Sequence, residues 1–186
     1  MDFEVGFHQR NKAFRYMENP ALKQLLELIK DEDYFPEESR KSKGGKRKSG
    51  VREIAKQVFN DRLADTWQCD VEIFDISSIP ASKLHYLKAR VGVVRSLQHR
   101  TTMGTDILRL EVAYRFLDII DIGVFICGTS GFEKYYLGTE DSRIEHMVIF
   151  EELVDYLEMV SGVITVPIVL IGLKKPPKQR QTKLPK

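Results

Sequence analysis

The sequence predicts an α/β fold with a mixed central sheet flanked by helices. Three observations carry that expectation. Between Lys88 and Ile126 the chain reads as a β-branched run, a polar break, a helix-patterned segment and a second short apolar run; two strands joined by a helix of this length form a parallel pair with a right-handed crossover. Ahead of that unit, Val71-Glu72-Ile73-Phe74-Asp75-Ile76 alternates acidic and apolar residues as a half-buried strand does, and Leu84-His85-Tyr86-Leu87 continues toward the crossover, so a meander precedes it. Behind the unit, Val163 to Gly172 is a further apolar, strand-like run.

Taken in order, the N-terminal residues are interrupted by Asp2, Glu4, His8 and Arg10 and lack the apolar run of a leader. Asn19 caps a helix that Pro20 opens and that carries Leu22, Leu25, Leu26, Leu28 and Ile29 as far as Asp31. Pro36 and a basic, Gly/Ser-interrupted loop follow, holding Arg40, Lys41, Lys43, Lys46, Arg47 and Lys48. Gly50 opens a second helix whose apolar face, Val51, Ile54, Val58 and Leu63 with Ala55 and Phe59, runs to Trp67. Ser77-Ser78-Ile79-Pro80 turns the chain within the meander.

Arg90 to Leu97 is the first strand of the organising unit, and Gln98 to Gly104 is the break after it. Thr105 then serves as the N-cap of the crossover helix, with Asp106 in its first turn and Ile107, Leu110, Tyr114 and Leu117 on one face. Asp121 to Ile126 fits a strand buried on both faces. Gly128-Thr129-Ser130-Gly131 is a turn, because its glycines lack phosphate-loop spacing. A third long helix is expected from Ser142 to Val160, and Pro167 places the last strand at an edge or marks its start.

The 186 residues suit one domain, 1–173, followed by a basic disordered tail, 174–186. Cys69 and Cys127 read as buried thiols in a reducing, cytoplasmic setting, and no segment is long and apolar enough to span a bilayer. The net charge is only +2, yet the cations crowd into residues 40–48 and the tail while acids gather between Glu140 and Glu158. A polyanion binder with a separate acidic face shows that asymmetry, and so does a chain whose loops are merely solubilised by lysine.

The order helix, meander, crossover helix, parallel strand, helix, strand is that of the PD-(D/E)xK nuclease core. Lys88 to Ile126, including the run Ile120-Asp121-Ile122-Gly123-Val124, resembles the catalytic strand and crossover of the BglII and BstYI group of type II restriction endonucleases. Val166 to Gly172 is similar to that group's last core strand, and Gly50-Val51-Arg52-Glu53 resembles the Gly and Glu that open the first core helix. The resemblance implies a restriction-endonuclease-like core, Mg2+ as cofactor and double-stranded DNA as substrate. With so little beyond the core and basic arms, the chain looks like the small cleavage subunit of a heterodimeric type IIS enzyme. It would hydrolyse one strand while a larger partner subunit recognises the site.

One departure stands out. The group's strand Asp, Glu, and Gln or Lys, which hold the metal and the attacking water, fall on His85, Val94 and Ser96 here. A valine cannot bind magnesium. Either the site has migrated or catalysis is lost, leaving a nuclease-fold DNA-binding or specificity module. On the first reading Glu53, His85, Arg95 and Ser96 are the catalytic set, and Glu53 and His85 are the metal ligands. Lys43, Lys46, Arg47, Lys48, Gln98, His99 and Arg100 then contact DNA. Each has a plain alternative: Glu53 as a helix-start acid, His85 as a structural histidine, Arg95 at a solvated strand end. A placement using Asp106 and Glu111 as ligands is set aside, because their segment is helical in period and the placement leaves no crossover helix.

Overall fold

The computed structural model describes residues 2–30, 59–73, 83–97, 99–132 and 146–174. The strands are β1 (Phe3–His8), β2 (Gln68–Glu72), β3 (Lys83–Lys88), β4 (Val91–Arg95), β5 (Ile122–Gly128) and β6 (Ile168–Leu173). The helices are α1 (Arg10–Ala13), α2 (Pro20–Lys30), α3 (Met103–Arg115) and α4 (Phe150–Met159), and residues 59–63 are helical as well. The strands form one six-stranded sheet in the order β1-β6-β5-β4-β3-β2. β4, β5 and β6 run parallel, and the other neighbouring pairs are antiparallel.

The crossover is as the sequence implied. β4 pairs in parallel with β5, Val93 opposite Val124, and α3 joins them. Every residue of β5 is buried, so it needs apolar side chains on both sides. Val124 and Ile126 pack with Leu22, Leu25 and Ile29 of α2, while Phe125 and Cys127 pack with Ile107 and Leu110 of α3 and Leu153 of α4. At about 1.5–3 kcal/mol for each large aliphatic side chain removed from water, these two layers are the main source of stability. Gly123 sets how closely α3 approaches: a Cβ there would lie 2.8 Å from the Leu110 side chain.

Asn19 does cap α2, its Oδ1 accepting the Ala21 N–H at 2.8 Å. Cys69 and Cys127 are free thiols; Cys127 is buried as expected, whereas Cys69 is only partly buried. Other expectations need correction. β1 was not foreseen; it lies antiparallel to β6, so β6 is an interior strand and Pro167 marks only its start. β2 begins at Gln68 rather than Val71. α3 begins at Met103, which puts Thr105 inside the helix rather than at its cap. α4 begins at Phe150, since Ile149 is extended and forms a bridge to Gly128. The basic stretch 40–48, Gly50 to Val58 and the tail beyond Lys174 lie outside the described residues.

Two irregularities shape the β4 end of the sheet. Leu84 and Tyr86 pack on opposite faces, although residues two apart on a regular strand share one. The neighbouring β2 changes face in the same way between Cys69 and Val71, around Asp70 with φ +51°. Interruptions of this kind re-aim a side chain beside a site. The side chain re-aimed here is His85.

Candidate active site

The carboxyl end of β4 brings together His85, Arg95 and Ser96. Regular pairing of β3 with β4 runs out at Tyr86 and Val93. Beyond it the Arg95 backbone N–H donates to His85 Nδ1 at 3.1 Å, an imidazole taking the place of a backbone acceptor. A ring nitrogen that accepts a backbone N–H carries no proton, so neutral His85 has its proton on Nε2 and presents a donor there.

Arg95 extends to the other face. Its guanidinium carbon lies 5.0 Å from the centre of the Phe59 ring, and Phe59 stacks on Tyr86 with centroids 5.7 Å apart. Tyr86 donates to Asn60 Oδ1 at 2.9 Å. Burial pushes its hydroxyl up to about 12, against the pull of the Arg95 charge. Arg95 Nη1 is buried and has no hydrogen-bond partner among the described residues. A cation held on an aromatic platform with a spare N–H is suited to a phosphate oxygen.

Ser96 continues the parallel ladder, its N–H donating to Ile126 O at 2.9 Å. Its side chain is only 4% exposed, and its Oγ forms no well-aligned hydrogen bond among the described residues. It adjoins Asp106, which is ion-paired with Arg109 on the next turn of α3. Burial raises the Asp106 pKa, and Arg109, Ser96 and Thr102 oppose the rise. Arg109 also donates to Lys83 O at 2.8 Å, tying α3 to the start of β3. Between Arg95 and this cluster, Val94 is 0% exposed and belongs to the apolar layer under α3 and α4.

The other candidates are spread more widely. His99 precedes a 3-10 turn, Arg100–Thr102, and Arg100 pairs with Glu152 at 2.6 Å on the surface. Glu53, Lys43, Lys46, Arg47, Lys48 and Gln98 lie outside the described residues. Among the described residues no group of three or more His, Cys, Asp or Glu side chains could hold a metal ion. The strand positions supply an occupied imidazole nitrogen, a core valine and a buried serine, which do not fit a divalent cation. The Phe59, Asn60 and Tyr86 platform was not anticipated; Phe59 and Tyr86 carry only the signature of core aromatics.

Glu111, the second acid of the discarded placement, has a structural task. It accepts the Thr165 and Val166 N–H groups at 2.8 Å each and the Thr165 hydroxyl at 2.7 Å.

With that geometry in view, residues 5–173 match the family described as restriction endonuclease BglII/BglIII. Among solved structures, that of restriction endonuclease BglII complexed with a DNA 16-mer superposes with a TM-score of 0.68 at 15% sequence identity. The match covers 96% of this chain and 78% of that one. No curated protein matches the chain.

Proposed function

We propose a function from one premise: this chain belongs to the BglII/BglIII family of restriction endonucleases. Family and fold make it a DNA endonuclease of the restriction type. The observation that carries the reading to a site is Arg95, whose buried Nη1 has no hydrogen-bond partner among the described residues. That donor suits a backbone phosphate of duplex DNA, and His85 adjoins it through its Nδ1 bond to the Arg95 backbone N–H. Ser96, 4% exposed, continues the parallel ladder at the same strand end. His99, Arg100 and Gln98 would approach the neighbouring backbone, and Lys43, Lys46, Arg47 and Lys48 would add phosphate contacts that position the duplex without reading its sequence.

Magnesium dependence enters through family membership and Glu53. The described side chains do not supply a magnesium site. The finer proposal is that the chain hydrolyses one strand of a duplex while a larger partner subunit supplies recognition, as in heterodimeric type IIS enzymes. A second reading, a nuclease-fold module that binds DNA without cutting, is favoured by the buried Val94.

A strand-resolved assay separates them. End-labelled duplex is incubated with magnesium and this chain, with and without the larger protein encoded beside it. Cutting of one strand that depends on this chain and is lost in Glu53→Ala supports catalysis. Strand cutting that never depends on the chain supports the binding module, and vigorous site-specific cutting by the isolated chain refutes the partner subunit.

A further inference from the structure

At the end of the sheet where β4, β5 and β6 begin, a pocket of about 320 Å³ is lined by Lys12, Arg15, Tyr16, Tyr114 and Pro167. It is far from the site above: the six steps from Arg90 to Ser96, at about 3.3 Å each, separate the two ends of β4 by about 20 Å. Three elements build it. Lys12 comes from α1, Arg15 and Tyr16 from the 3-10 turn Phe14–Tyr16, and Tyr114 from the last turn of α3. Pro167, buried just ahead of β6, adds apolar wall.

Its charge is unbalanced. Asp121, whose charge acts on Tyr16, is held together with Asp118 by Arg90, at 2.7 and 2.6 Å. Lys12 and Arg15 line the pocket and have no carboxylate partner among the described residues. The Tyr16 hydroxyl is pushed above its ordinary value by burial, then by Asp121 and Tyr114, with Arg90 and Arg15 opposing. At neutral pH it is therefore a proton donor. Two unmatched cations and two phenols around a small concavity are the chemistry of a phosphate with an attached ring. Small-ligand pockets span about 300–1,000 Å³, so this one takes a ligand no larger than a mononucleotide.

We propose that this pocket binds a small phosphorylated molecule of mononucleotide size, its phosphate on Lys12 and Arg15 and its ring against Tyr16 and Tyr114. The proposal does not rest on the endonuclease reading, and either can fail alone.

Calorimetric titration of the full chain tests it, with adenosine monophosphate, adenosine and inorganic phosphate as probes and a short DNA duplex as competitor. Lys12 and Arg15 are exposed, so the Lys12→Ala/Arg15→Ala double variant should keep the parent melting temperature. Monophosphate binding that weakens by about tenfold or more in that variant, as expected when charge-assisted hydrogen bonds to a phosphate are lost, supports the site. So does weaker binding of adenosine and of phosphate alone. Equal binding of adenosine, undiminished binding by the double variant, or no heat at millimolar monophosphate overturns it. Displacement of the monophosphate by the duplex also overturns it, by assigning the two cations to the nucleic-acid backbone.

Discussion

Replacing Glu111 separates an acid that holds the fold from one that performs chemistry. Its carboxylate is buried, and its bonds reach across 54 and 55 residues to the segment that leads into β6. Val166 is 0% exposed, so its N–H cannot turn to water when the acceptor is removed. Such a group left unpaired costs about 1–3 kcal/mol. The Thr165 N–H and hydroxyl are half-buried and recover part of their bonding from solvent, losing about 1 kcal/mol each. Glu111→Ala should therefore lower the unfolding free energy by about 3–5 kcal/mol, a large part of the ~5–15 kcal/mol typical of a domain. Glu111→Gln keeps one acceptor oxygen and should lose roughly half as much. Urea unfolding followed by tryptophan fluorescence reads the change as a lower midpoint at unchanged slope. DNA cutting should survive where the variant is still folded. A loss of under about 1 kcal/mol, or lost cutting with stability intact, would refute the reasoning and return Glu111 to the catalytic candidates.

Three further outcomes are expected. Ala89 and Arg90 form the β3–β4 turn with φ of +45° and +61°, so Ala89→Gly should raise stability by about 0.5–1 kcal/mol by relieving a left-handed alanine; a lower melting temperature would contradict this. Tyr86, raised to about 12 from the ordinary 10, ionises in the unfolded chain first, so its stabilising contribution is complete below pH 10 and is lost as pH rises toward 12; the ultraviolet difference titration between the parent and Tyr86→Phe should show that late midpoint rather than one at 10. Asp106 is also raised, by burial, so its contribution is present in acid and declines as pH rises through the folded-state midpoint. Carbon-detected NMR of its carboxyl should give a midpoint above that of an ordinary aspartate, and one at or below that value would contradict the burial argument.

Much of the fold was legible because it is written in local patterns. The crossover from β4 through α3 to β5 shows in β-branched runs on either side of a helical period, and the α2 start shows in Asn19 and Pro20. What escaped notice depends on partners distant in sequence. β1 alternates weakly, with exposed residues at Glu4 and Val5, and only its pairing with β6 makes it a strand. Acids and apolar residues between Ser142 and Ile149 continue the period of α4, yet Ile149 is drawn into an extended bridge to Gly128. At the site, the family resemblance brought out His85 and Ser96, with Arg95 between Val94 and Ser96, and the structure places all three at one strand end. The tautomer of His85 and the platform beneath Arg95 could not be read, because each depends on a face change in β3 that no residue type announces.

The sheet order also has a consequence for how the chain is made. β6 fits between β5 and β1, and Phe3 lies opposite Leu173. As synthesis proceeds, the first strand to emerge has no neighbour until nearly all the residues of the sheet exist, and β5 meanwhile presents a bare, fully apolar edge. Such an edge invites pairing with other chains. Arrival of Ile168 to Leu173 closes both openings at once, with Glu111 already waiting on α3 to receive the segment just ahead of it. A chain that lacks Ile168 to Leu173 would therefore hold a sticky, incomplete sheet, which that one strand seals on both sides.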